Sequence, residues 1–294
     1  MNILITGGAG FVGRYLAKSF SQHKITIFDN FSNSSQNDIS NIHFIQGDIL
    51  DYETLLKSSK GTDVMIHLAA KTDVFESVTN PEDTMNVNVN GTINVLKCCK
   101  QNKIKKIVFA SSAAVYGNCD QLPINEKTIT KPTSPYGQSK LQAENEIKKF
   151  AKEFGIEYVI LRMFNVYGKG QNIQYAGVIT KFLENISRDK EILIYGDGKQ
   201  TRDFISINDI VDAYSCALES KISGTYNIAS GKSTSINELA KTMLDVFNKK
   251  LEIKHEKEKE GDIKYSLADV SLAQKEIGFA AKRKLRDELI SISN

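Results

Sequence analysis

Short, nearly continuous apolar runs separated by polar, glycine-bearing segments set the rhythm of the chain up to about residue 165. Runs at 2–6, 24–28, 42–46, 63–68, 106–110 and 157–163 are of strand length and do not alternate, which is the pattern of strands covered on both faces. Helical periodicity fills the gaps at 11–21, 51–58, 82–102 and 135–154. The last of these has defined ends. Ser134 suits a cap, Pro135 suits a first helical position where a missing N–H costs nothing, and Gly155 suits a stop. Leu141, Ile147, Phe150 and Phe154 supply its apolar stripe. Strands alternating with helices predict an α/β fold, a doubly wound parallel sheet of Rossmann type. After residue 165 the rhythm fades. The expected division is therefore a first domain at 1–165 and a smaller α/β lobe at 166–294, with segments near 200–230 packing back on the first.

Ligands of such sheets sit beyond the carboxyl ends of the strands, and the unusual groups of this chain fall there. The first strand runs into Gly7, Gly10 and Gly13 and then into a helical pattern. Gly7 and Gly10 allow a tight turn and let a pyrophosphate approach the backbone, where N–H groups at the helix start, Phe11 and Val12 among them, attract anions. Gly13 lets that helix pack closely on the sheet. The second strand ends on Asp29, next to Asn30; a carboxylate there accepts from both ribose hydroxyls of an adenosine and repels a 2′-phosphate. The cofactor expected is NAD rather than NADP, with Arg14 the one residue that argues the other way. Further along, Asp48 can reach an adenine amino group with Ile49 against the ring. Leu68, Ala69, Ala70 and Lys71 follow the fourth strand, and the two small alanines leave room for the cofactor backbone.

Tyr136 and Lys140 lie four residues apart in the helix that Ser134 opens, so they share a face. A phenol has an unperturbed pKa of about 10 and is a poor base. A neighbouring ammonium, helped by a nicotinamide cation, is expected to favour the phenolate.

Composition narrows the classes. The 294 residues carry 38 Lys and Arg against 35 Asp and Glu, a formal charge of +3, which leaves no footprint for nucleic acid. Cys98, Cys99, Cys119 and Cys216 show no CxxC spacing and no histidine cluster, so neither a metal nor a disulfide framework is indicated. The mixed-charge run at 254–262 reads as a solvated loop. No stretch resembles a signal peptide or a membrane span, and a soluble, cytoplasmic protein is expected.

Taken together, Thr6 to Gly13, His67 to Ala70, Asn88 to Thr92, Ser111 to Gly117, Tyr136 to Lys140, Arg162 to Asn165, Arg202-Asp203 and Glu260 to Asp262 resemble the extended short-chain dehydrogenases/reductases. Within that superfamily the chain is similar to the NAD-dependent nucleotide-sugar epimerases and dehydratases. The resemblance implies Tyr136 as acid/base, Lys140 as holder of the nicotinamide ribose, and Ser112 as hydrogen-bond partner of the reacting sugar oxygen. Asn88, Ser111 and Phe164 would complete the cofactor contacts. Dehydratases of the family carry Asp and Glu after that serine, because eliminating water needs an added acid and base. Here Ala113 and Ala114 stand in those places. What the resemblance leaves is C4 epimerisation of a UDP-sugar, with the cofactor retained through the cycle.

For the second lobe the same resemblance assigns Asn165 and Arg202 to the diphosphate, Ile194 and Tyr195 to the uracil, Asp262 to the uridine ribose and Ser266 to a pocket-size gate beside the sugar C2. Lys259 stands near where relatives place an arginine, and lysine cannot make the same forked contact. The helices near 86–102 and 135–154 match those that form a two-fold dimer interface. A related UDP-glucuronate epimerase or decarboxylase, a dehydratase using unusual acids, and an NAD-binding scaffold or redox sensor are the competing readings.

Overall fold

The six apolar runs form six of the seven strands of one parallel sheet in the computed structural model, which describes residues 1–33, 42–119, 121–171, 177–258 and 263–293. The strands β1 (Asn2–Thr6), β2 (Lys24–Asp29), β3 (His43–Gln46), β4 (Val64–His67), β5 (Lys106–Ser112) and β6 (Glu157–Met163) alternate with helices. Those helices are α1 (Phe11–Ser19), α2 (Tyr52–Ser58), α3 (Val74–Thr79), α4 (Pro81–Met85), α5 (Gly91–Gln101) and α6 (Pro135–Phe154). The remaining elements in order are β7 (Asn165–Tyr167), α7 (Val178–Ser187), β8 (Ile192–Tyr195), β9 (Thr201–Ser206), α8 (Ile207–Glu219), β10 (Gly224–Ile228), β11 (Ser233–Ser235), α9 (Ile236–Val246), β12 (Ile253–Glu256), α10 (Ser271–Ile277) and α11 (Leu285–Ser293).

The sheet order is β10-β6-β5-β4-β1-β2-β3, with every pair parallel. The sense in which successive strands are added therefore reverses between β1 and β4, and the crevice at such a switch point is where a dinucleotide binds. The seventh strand is β10, from well beyond residue 165. Alternation along β1 sorts its side chains: Ile3 and Ile5 enter one core with Leu16, Phe20, Ile210 and Tyr214, so α8 covers the same face as α1. Leu4 enters the other with Phe28, Leu96 and Ile147, beneath α5 and α6. A third core, around Ile179, Phe182, Ile194, Leu239, Met243 and Leu289, belongs to the second lobe.

Two differences from the sequence pattern bear on the site. The periodic stretch at 82–102 is helical from Pro81 to Gln101, as expected, but carries a π turn inside it. It is α4, then a π-helical turn at Asn86–Asn90, then α5; π turns inside helices tend to mark functional positions. The short helix α3, capped by Asp73, whose side chain accepts from the Glu76 N–H at 2.8 Å, was not foreseen.

Candidate active site

Gly7 has φ +69°, and a Cβ there would stand 2.5 Å from the Ala69 nitrogen. Only glycine fits this turn, because β1 and β4 bring their following loops into contact. Gly10 caps α1 with no side-chain hydrogen bond, so the first-turn N–H groups of Phe11 and Val12 face the carboxyl edge without a side-chain cap. An uncapped helix start beside a close-approach glycine fits a dinucleotide pyrophosphate. Asp29 steadies the loop: its carboxylate accepts from Ala9 N at 3.0 Å and from Phe31 N at 2.8 Å. Asn30 donates to Asp48 at 2.9 Å, and Asp48 also accepts from Leu50 N at 2.8 Å; these two ends form one polar rim. Arg14, the residue that argued for NADP, donates to the Gly170 carbonyl at 2.9 Å.

Some expected contacts sit differently. The side chain of Ile49 packs against Gly91 in the core and is 5 % exposed, so only its backbone faces the rim. Lys71 directs its ammonium to Glu76 and Asp83, at 3.4 and 3.1 Å. Its backbone is clasped by Asn88, which accepts from Lys71 N at 2.8 Å and donates to Lys71 O at 2.9 Å. Asn88 also donates to the Ser139 hydroxyl at 2.9 Å. The buried amide on the π turn thus ties the loop after β4 to the helix that carries Tyr136.

Beneath this lies His67, where Thr92 decides the tautomer. The Thr92 hydroxyl donates to Asn88 O at 2.6 Å. It must therefore accept from His67 Nε2 at 2.9 Å, which leaves Nδ1 to accept from Thr6 at 2.7 Å. His67 is neutral: burial, with a smaller contribution from Lys140, pushes its pKa down to about 3.

Helix α6 begins as its sequence requires, with Gly137 N donating to Ser134 Oγ at 3.1 Å and Pro135 in the first turn. Gly137 is needed for close packing, since a Cβ there would lie 2.5 Å from Ala114 O. That contact sets the turn Ala113–Val115 against the start of the helix. Ser112 is thereby brought beside Tyr136, close enough for its hydroxyl to favour the phenolate, and Ser112 Oγ accepts from Ala114 N at 3.1 Å. Lys140 is buried, donates to Ala110 O at 2.9 Å and lies 4.9 Å above the Phe109 ring. Burial, opposed by Glu144, lowers its pKa to about 7. One expectation needs correcting here. With protein groups alone, burial raises the Tyr136 phenol, and the opposing influence is the neighbouring Ser112 hydroxyl rather than the Lys140 ammonium. The ammonium lies 6.0 Å from the tyrosine ring centre and is held below it.

Ser111 turns away from the crevice to donate to Glu144 at 2.6 Å. Phe164 is buried beside Tyr116. On the second lobe, Asn165 donates to Asp203 O at 3.0 Å, and Arg202 to the carbonyls of Thr201 and Ile263. The carboxylate of Asp203 gathers Ser230 N, Gly231 N and Ala268 N, so the segment bearing the buried Ser266 is drawn toward β9. Ile194 is 1 % exposed in the core of the lobe, while Tyr195 is 39 % exposed. Lys259 and Asp262 lie outside the described residues.

The sequence reading missed Glu144, Tyr116, Asn227 and the role of His67. The spacing of Glu144, four residues after Lys140 and eight after Tyr136, was the available signal.

Comparison with known proteins agrees with this geometry. Residues 3–229 match the NAD dependent epimerase/dehydratase family. A putative UDP-glucose 4-epimerase of Methanocaldococcus jannaschii is 37 % identical over 99 % of this chain and 97 % of its own. A UDP-N-acetylglucosamine 4-epimerase from Methanobrevibacter ruminantium, solved with UDP-N-acetylmuramic acid, superposes with a TM-score of 0.96 at 36 % identity, covering 99 % of this chain and 96 % of that one. The UDP-glucose 4-epimerase of Thermotoga maritima, solved with UDP-glucose, gives 0.96 at 32 % identity, covering 100 % and 97 %. A glycine-lined crevice at the switch point, a tyrosine and lysine on one helix face, and a match running through all seven sheet strands leave one conclusion: the chain belongs to the NAD-dependent epimerase/dehydratase family.

Proposed function

We propose that the protein is a UDP-sugar 4-epimerase acting on UDP-glucose and UDP-galactose and on their N-acetylated counterparts. The observation that carries this reading is the hydroxyl pair of Ser112 and Tyr136 over buried Lys140, next to Ala113 and Ala114. Methyl groups at those two positions offer no second acid or base, which disfavours dehydration.

NAD, when bound, would supply a reversible hydride acceptor for C4 of the sugar. Tyr136 takes the C4 hydroxyl proton as the carbonyl forms and gives it back as the carbonyl is reduced. Ser112 hydrogen-bonds the same oxygen and fixes its distance from the phenol. Lys140 holds the nicotinamide ribose from below, and Asp29, Asp48 and the Gly7–Gly10 turn receive the adenosine and pyrophosphate. Asn165, Arg202, Tyr195 and the backbone at Ile194 receive the uridine diphosphate, with Lys259 and Asp262 as further contacts. Ser266, small and buried, leaves room for a C2 substituent, in keeping with the UDP-N-acetylglucosamine 4-epimerase among the solved relatives. Between the oxidation and the reduction of C4 the keto sugar must present its other face, which requires a pocket that holds the nucleotide more firmly than the sugar. We further propose a homodimer through the outward faces of α5 and α6, for which light scattering at micromolar concentration is the check.

The test is incubation of the purified protein with UDP-glucose, UDP-galactose, both N-acetylated sugars, UDP-glucuronate and dTDP-glucose, with products identified by NMR. C4 epimers from the UDP-hexoses are expected. A 4-keto-6-deoxy or decarboxylated product in their place would overturn the proposal.

A further inference from the structure

We propose that Glu144 is a positioning residue for the reacting groups: its buried carboxylate ties the catalytic helix to the strand end that carries Ser112 and keeps a negative charge one turn from the Lys140 ammonium. The inference rests on the epimerase reading for what the positioned groups do.

Glu144 is 0 % exposed, and a buried carboxylate persists only when its acceptor sites are filled and its charge is matched. One oxygen accepts from Ser111 at 2.6 Å and Arg162 Nε at 2.9 Å. The other accepts from Arg162 Nη2 at 2.7 Å and Lys148 at 3.3 Å. Arg162 outweighs the burial that would otherwise raise the carboxyl, and its pKa is held below the ordinary value. The clasp joins three elements: α6, which carries Tyr136 and Lys140; β5, whose next residue after Ser111 is Ser112; and β6, which leads through Phe164 to Asn165.

It also continues beyond them. Arg162 Nη1 donates to the Tyr116 hydroxyl at 2.9 Å, and that hydroxyl donates to Asn227 Oδ1 at 2.6 Å. Asn227 in turn donates to the carbonyls of Ile124 and Asp269, near the Ser266 segment. A path of buried hydrogen bonds therefore links the catalytic helix to the edge of the sugar pocket.

The groups facing Lys140 are few. From its own helix come Tyr136 and Glu144, from β4 the neutral His67, and from β5 the Phe109 ring and the Ala110 carbonyl. Glu144 is the one anion among them, so its removal acts on the lysine charge directly.

The experiment uses the full chain with NAD. Side-chain 15N NMR of lysine-labelled protein, assigned with Lys140→Arg, follows the Lys140 titration without reference to turnover. In Glu144→Gln the midpoint is expected to fall by about one pH unit. The alkaline limb of kcat should move with it, and kcat should drop about tenfold or more, with KM for the sugar little changed. Ser111→Ala removes one clasp and keeps the charge. It is expected to lower kcat several-fold while Lys140 titrates as in the parent. A Glu144→Gln protein whose lysine midpoint and kcat profile both coincide with the parent overturns the proposal. Should Glu144→Gln fail to fold, unchanged kcat in Ser111→Ala overturns it. A parent protein that forms no inverted sugar, yet shows the midpoint shift in Glu144→Gln, refutes the epimerase reading and leaves the electrostatic role of Glu144 standing.

Discussion

Ala113 and Ala114 carry more information about the reaction than the glycine turn does. The turn says only that a dinucleotide is held; the two methyl groups say which further proton transfers the site lacks. Ser266 is the corresponding position in the proposed reading of the substrate. It is 7 % exposed and lies near Ala268, which is fixed by Asp203. Ser266→Tyr is expected to cut turnover of the N-acetylated pair at least about tenfold relative to UDP-glucose, measured by initial rates on each sugar. Equal loss on all four sugars would remove the gate. At this scale the sequence was readable where a residue type has one strong local reason: Gly7 for its backbone angle, Asp29 for the strand end, Tyr136 and Lys140 for their spacing. It was less legible where the same side chain could serve the core: the burial of the Ile49 and Ile194 side chains could not be read, because an isoleucine at the rim and one beneath it look alike in one dimension.

The element scale explains most of what was legible. Helix α6 spans 135–154 as its cap, proline and terminal glycine require, and the six apolar runs are strands within a residue or two. Local signals decide such boundaries. The helix expected at 82–102 is present, but the π turn inside it has no local cause, since Asn88 on that turn pairs with Lys71 and Ser139, distant in sequence. The same is true of His67, whose state depends on three elements meeting. Its unfolded pKa is near 6.5 and its folded value about 3. The unfolded chain therefore binds the extra proton first, and the stability contributed by neutral His67 is complete above pH 6.5 and is lost as pH falls. Between pH 6.5 and 5 the loss should approach about 2 kcal/mol. Denaturant unfolding across that range, compared with His67→Asn, checks it: equal slopes in both proteins would contradict the assignment.

At the scale of the whole molecule, the sheet gathers Gly7, Asp29 and Ser112 at the carboxyl ends of its strands. The order β3-β2-β1-β4-β5-β6-β10 puts the switch point next to the glycine turn, and β5 ends on Ser112, beside the helix that carries Tyr136. Buried contacts such as Glu144 with Arg162 tie that helix to β6. No helix among the described residues is long and apolar enough to cross a membrane. The central claim is that one carbon is oxidised and then reduced from its opposite face without its hydrogen entering the solvent. UDP-glucose carrying deuterium at C4 tests this most directly, with the product followed by NMR and mass spectrometry. UDP-galactose with the deuterium still at C4 is expected; a galactose epimer whose C4 hydrogen has come from water would rule out the hydride mechanism.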